Sequence, residues 1–260
     1  MGKVIEVHDV TKRFAGTGDG AVVALDALSL AMEQGEFLAV MGPSGCGKST
    51  LLNIVAGFET ADAGTCKVTG RDVTAAGPDR GVVFQEYALF PWMTVERNIS
   101  FAMQAAGKWS DQAPERITKI LTDMGLVQFR HAFPKTLSGG MRQRVAIARI
   151  LAIDAPVMLM DEPYGALDAL TRATLQEELV ALWQRTRKTI FFVTHNVDEA
   201  IYLADRVVVM TPRPGRIVLD VAIELPRPRD VTQAKFNDYK RQILDVIHPS
   251  ARMAGQGNVP

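Results

Sequence analysis

Gly42, Pro43, Ser44, Gly45, Cys46, Gly47, Lys48 and Ser49 are consecutive and fit the spacing G-x-x-x-x-G-K-S. That spacing has a physical purpose. Glycines let the backbone wrap closely around phosphate without Cβ clashes, and a helix opening at once behind them points amide N–H groups at the anion. Thr50 begins such a helical pattern, through Leu51, Leu52, Ile54 and Val55. Lys48 is placed to reach the β and γ phosphates of ATP, and the Ser49 hydroxyl to ligate Mg²⁺. A second element of the same construction lies downstream. Ser138 precedes Gly139 and Gly140 at the start of an arginine-rich helical pattern, a Ser in N-cap position followed by exposed amides. Two anion sites in one chain serve one nucleotide if two copies meet head to tail.

Three further positions complete a hydrolytic set. Asp161 and Glu162 end the apolar run Val157 to Met160. Asp161 is suited to hold Mg²⁺ through its water shell, and Glu162 to polarise an attacking water. Phosphoryl transfer needs mostly positioning and charge stabilisation, so such a base has only to orient its water. Gln85 follows another apolar run and can touch both metal and water. His195 follows a third and can hydrogen-bond the γ-phosphate. Taken singly these residues have plainer readings, as a helix cap, a loop glutamine and a structural histidine. Their order along the chain outweighs them.

Such residues need a scaffold that presents strand ends together. Phe37 to Met41, Val82 to Phe84, Val157 to Met160, Ile190 to Val193 and Val207 to Val209 with Met210 are short, continuous apolar runs. Continuity rather than alternation predicts strands buried on both faces, as in a parallel sheet covered by helices, and open parallel sheets bind ligands beyond their strands' carboxyl ends. From Pro91 to Leu151 the period is helical, with Ile117, Ile120, Leu121 and Met124 on one face. Val4 to Val23 reads as strand and loop, with a glycine turn at Gly16, Gly18 and Gly20. After Pro226 come a Pro-Arg-Pro-Arg stretch, an amphipathic helix from about Phe236 to Ile247, and an end expected to be disordered.

The 260 residues carry 29 basic and 29 acidic side chains, a balance that gives no electrostatic indication of nucleic acid. Two cysteines, Cys46 and Cys66, are too few for a disulfide scaffold. No stretch approaches the roughly 20 apolar residues of a membrane span, and the first ten residues lack a signal-peptide pattern. A cytoplasmic protein, acting on membranes only through partners, is the expectation.

Taken together, the phosphate loop, Gln85, Leu137 to Met141, Asp161 with Glu162, and His195 resemble the motif series of ABC-type ATPases over roughly Val4 to Leu225. The usual signature ends in Gln where this chain has Met141, and Asn196 stands where Asp is commoner. The resemblance implies an α/β fold, a P-loop NTPase core with a mostly parallel sheet and helices on both faces. It implies an ATPase domain over 1–225, a helical subdomain inserted at about 91–152, and a C-terminal extension over 226–260. It makes Gln85 the Q-loop residue, Glu162 the catalytic base, His195 the switch histidine, and Asp168, after Ala166 and Leu167, part of a segment that touches the opposite subunit. Phe14 stands where the family stacks an aromatic on adenine, and Val23 where the ribose or base edge packs.

Finer similarity points to subunits of nitrate, sulfonate and taurine importers. It is carried by Asp79 to Gln85, Leu89 to Val95, Gly165 to Arg172, Pro214 to Ile217 and Leu225 to Asp230. The implied protein is an ATP-hydrolysing homodimer peripheral to the cytoplasmic face of the inner membrane. It would drive transmembrane permease subunits that are fed by a substrate-binding protein. The alternative is the ATPase of a lipid-transport or mechanotransmission complex. Phe90, Pro91, Trp92 and Met93 form either internal packing of the helical lobe or a groove for a permease helix.

Overall fold

A computed structural model describes residues 2–15 and 20–247. The expected turn at Gly16 and Gly18 and the expected disordered tip lie outside those residues. The chain divides into two compact units, Met1–Ala75 with Phe191–Pro260, and Ala76–Ile190.

In the first unit, β1 (Lys3–Ala15), β2 (Ala21–Glu33), β4 (Ala63–Val68) and β5 (Arg71–Asp72) form an antiparallel sheet in the order β2-β1-β4-β5. Val7 pairs with Leu30 on one side and Cys66 on the other. The register shifts repeatedly along β1, and Asp9 and Ala27 take left-handed backbone angles there (φ 47° and 46°). The apolar runs form a second sheet. Here β3 (Phe37–Met41) lies parallel to β9 (Arg206–Met210), with Val40 opposite Val208. Antiparallel β10 (Ile217–Ala222) lies beyond β9, and β8 (Thr189–Thr194) flanks β3 on the other side. Every residue of β3 and β8 is buried, as continuous apolarity requires. α1 (Lys48–Ala56) follows β3, α6 (Val197–Leu203) follows β8, and α7 (Ala234–Ile247) closes the described chain, with Phe236 and Ile243 buried.

In the second unit, β6 (Arg80–Val83) runs parallel to β7 (Val157–Asp161), Val82 opposite Leu159. Between them come α2 (Val95–Ala105), α3 (Ala113–Asp123) and α4 (Gly139–Ile153), with α5 (Ala169–Thr186) after β7. The predicted helical face is a core: Ile117, Ile120 and Leu121 of α3 pack with Val95, Ile99 and Met103 of α2 and Val145, Ala148 and Ala152 of α4, and Met124 packs at its margin. No helix among the described residues is long and apolar enough to cross a membrane.

Candidate active site

The phosphate loop of the first unit is set by its surroundings. α1 is capped by Gly47 at φ 102°, with no side-chain cap, so its first turn keeps the anion-binding character of an uncapped helix start. A Cβ on Gly47 would lie 2.8 Å from the Ala24 carbonyl oxygen and 2.7 Å from Leu25 Cδ2; β2 presses so close that only glycine fits. From the other side Arg213 Nε donates to the Gly45 carbonyl at 2.9 Å. Lys48 is buried, its Nζ donating to the carbonyls of Gly42 (2.9 Å) and Pro43 (3.1 Å) and lying 3.8 Å from Cys46 Sγ. Ser44 and Ser49 are exposed and Thr50 half-buried.

Phe14, paired with Val22 at the end of β1, is 40% exposed. Lys12 Nζ stands 5.3 Å from its ring centroid, a cation on a π face. The ammonium is held by Glu59 at 2.7 Å and Asp62 at 3.5 Å. The Glu59 hydrogen bond keeps Lys12 above the usual lysine range, and Lys12 keeps Glu59 below the usual carboxylate range. Val23 is half-buried and pairs with Arg13. His195 is exposed just past β8.

The second unit assembles the carboxylates with the glutamine and the Ser-Gly-Gly element. Asp161 is the last residue of β7, and Glu162 follows at φ 43°, a left-handed angle that costs a non-glycine residue of order 1–3 kcal/mol and concentrates at functional sites. Asp161 and Glu162 do not cap a helix; that task falls to Asp168, whose carboxylate accepts from Thr171 N at 2.9 Å. This bond holds the Asp168 carboxyl below its ordinary range. A Cβ on Gly165 would lie 3.3 Å from Gln85 Nε2 and 3.9 Å from Glu162 Oε2, so amide and carboxylate converge on one small residue. Ser138 caps α4, its Oγ accepting from Met141 N at 3.3 Å. Cβ atoms on Gly139 and Gly140 would meet Leu167 Cδ2 and Thr171 Cγ2, each at 2.8 Å; the glycines admit the chain that follows Glu162. Met141 turns toward the helical core.

The segment after Gln85 is fixed by residues that motif reasoning did not single out. Tyr87 and Ala88 take left-handed angles (φ 64° and 45°). Arg142 lies over the Tyr87 ring, and Arg149 lies over Phe90 while donating to the Ala88 carbonyl. Asn98, fully buried, donates to the carbonyls of Phe90, Met93 and Thr94 and accepts from Phe90 N. Trp92 is nonetheless 69% exposed. Its ring lies tilted against Phe90, centroids 5.7 Å apart, and Phe90 packs edge-on against Phe101; at that exposure Trp92 is not internal packing.

Ser49, Gln85 and Asp161 offer hard oxygens, the donor type Mg²⁺ prefers. No cluster of three His, Cys, Asp or Glu exists among the described residues.

Residues 25–165 match the ABC transporter family model. The chain is 44% identical to the nitrate import ATP-binding protein of Synechocystis sp., over 92% of this chain and 89% of that one. It is 42% identical to the taurine import ATP-binding protein of Jannaschia sp., over 94% and 93%. A solved ATP-binding cassette, dimeric in a post-hydrolysis state with ADP and Pi, superposes with a TM-score of 0.72 at 30% identity, covering 85% of this chain and all of that one.

Proposed function

The chain belongs to the ABC transporter family and hydrolyses ATP in the service of transport, and from that premise we propose that it powers an importer. The cargo is a small anion of the nitrate, sulfonate or taurine class, carried by a separate membrane permease supplied by a substrate-binding protein. The subunit is then peripheral, at the cytoplasmic face of the inner membrane. The carrying observation is the pair of glycine-framed helix starts, Gly47 with α1 and Ser138 with α4.

Two copies pair head to tail, so that the loop from Gly42 to Thr50 of one chain and Ser138, Gly139 and Gly140 of the other hold one ATP. Phe14 stacks on the adenine and Val23 packs beside it. Lys48 leaves the carbonyls of its own loop and turns its ammonium to the β and γ phosphates. Ser49, Asp161 and Gln85 would hold Mg²⁺, which when bound offsets the phosphate charge. Glu162 orients the attacking water, His195 hydrogen-bonds the γ-phosphate, and Asp168 contacts the opposite subunit. The aromatic patch of Phe90, Trp92 and Phe101 receives the permease helix, a few residues from Gln85.

Glu162→Gln tests this reading. With the carboxylate neutralised, turnover should fall by about a hundredfold or more, ATP binding should persist, and light scattering should show an ATP-dependent dimer. Wild-type turnover in this variant, or a monomer at high concentration with ATP, would refute it. Uptake assays with the co-purified permease across nitrate, sulfonates and taurine would then fix the cargo.

A further inference from the structure

His195 stands between two pinned neighbours. Thr194 Oγ1 donates to the buried Glu199 carboxylate at 2.6 Å and accepts from Asn196 N at 3.0 Å. The Asn196 side chain caps α6 by accepting from Glu199 N at 3.2 Å. The backbone on both sides of His195 is therefore tied to the first turn of α6. That helix has only 7 residues, too few to be stable by itself.

Its far end is held by the chain after Leu225. Arg229 is buried, 6% exposed, and spends its guanidinium entirely on backbone carbonyls. Nη1 donates to Ile201, Tyr202 and Ala204 at the end of α6, Nη2 to Ile223 at 3.1 Å, and Nε to Leu225 at 3.2 Å. Those α6 carbonyls are among the acceptors a helix leaves unserved at its C-terminus. Arg227 donates to the Leu203 carbonyl and pairs with Asp205 at 2.7 Å. A third tie reaches the first turn of α6, where Lys240 of α7 meets Asp198 at 2.8 Å. Burial and the neighbouring Arg227 push Arg229 down to about 10, still charged at neutral pH. The carbonyls answer the desolvation of a residue whose five donors lysine cannot reproduce.

We propose that Leu225 to Ile247 is a strap that positions His195 through α6, with Arg229 as its principal positioning residue. The proposal rests on the reading of His195 as the γ-phosphate sensor.

The test uses the full chain as wild type, Arg229→Met, Arg229→Lys, Lys240→Met and His195→Ala, the last to assign the His195 imidazole signal by its loss. In Arg229→Met that signal should shift or broaden. kcat should fall by about ten- to a hundredfold, as misplacement from a distance does, while ATP affinity stays within about twofold because the phosphate loop is untouched. Arg229→Lys should recover only part. Lys240→Met removes one exposed tie and should move the same signal with a kcat loss of about twofold; it serves where Arg229→Met fails to fold. An unmoved His195 signal in the variants that fold would overturn the strap. So would a parallel fall of kcat, ATP affinity and melting temperature that Arg229→Lys fully restores. Wild-type kcat in His195→Ala would instead overturn the sensor reading, and the strap would be judged on the imidazole signal alone.

Discussion

The helix starts at Gly47 and at Ser138 use the same residue types for different mechanical ends. Gly47 gives α1 no side-chain cap, and its loop is braced by fixed structure: the Ala24 carbonyl and Leu25 of β2, and Arg213. Ser138 caps its own helix, and the atoms crowding Gly139 and Gly140 belong to Leu167 and Thr171, in the segment that follows Glu162, and to Tyr87, just past Gln85. The first is a braced helix start with no side-chain cap, the cradle proposed for phosphate. The second already satisfies one amide internally and is packed against the segments beside Glu162 and Gln85. Affinity for ATP should belong to the first and coupling to the second.

The sharpest way to break that division is Gly47→Ala. A methyl group within 2.8 Å of the Ala24 carbonyl, at φ 102°, should lower ATP affinity by about a hundredfold or more, since overpacking and left-handed strain together cost several kcal/mol. Titration calorimetry measures it.

Gly140→Ala should leave ATP affinity of the monomer within about twofold but reduce turnover by about tenfold, the cost of an overpacking of 1–3 kcal/mol at the second helix start. Thr171→Ser removes the methyl that collides with the new Cβ, 2.8 Å away, and should restore much of the loss in the double variant. Equal loss of ATP affinity in both glycine variants would erase the distinction.

Arg213→Ala removes one hydrogen bond to Gly45 and should weaken ATP binding by about fivefold, the equivalent of about 1 kcal/mol, with turnover at saturating ATP unchanged.

The smallest effect is a pH dependence. Thr171 N holds the Asp168 carboxyl below its ordinary range. A lowered folded value means a stabilisation present above the unfolded carboxylate pKa and lost as pH falls through the folded one. Thermal melts between pH 5 and pH 2 should show Asp168→Asn losing less stability on acidification than wild type.

What was legible in the sequence follows physical range. β3, β7, β8 and β9 were readable because strands buried on both faces cannot afford polar residues, so their apolar runs are continuous. β1 and the first residues of β2, within Val4 to Val23, were readable only as strand and loop, because the register shifts and the left-handed Asp9 break the alternation that marks a one-sided sheet. The loop from Gly42 to Ser49 was legible because its chemistry is local. Arg213, Asn98 and Arg229 were not singled out. Arg213 grips a carbonyl 168 positions away in sequence, and an arginine that ends up buried on carbonyls looks, in sequence, like any other basic residue. The Pro-Arg-Pro-Arg stretch was visible as an appendage, while the helix it clasps was not. The exposure of Trp92 also depends on how Asn98 folds the segment around it.

Asn98 carries a consequence of its own. One buried side chain bonds the backbone at Phe90, Met93 and Thr94, so the path of the chain through Pro91 and Trp92 is held largely from outside their own side chains. On the proposed docking of a permease helix at this patch, Trp92 and its neighbours are interchangeable lettering on a fixed signboard: rewriting them should re-address the ATPase to a different permease, with the engine behind left as it is.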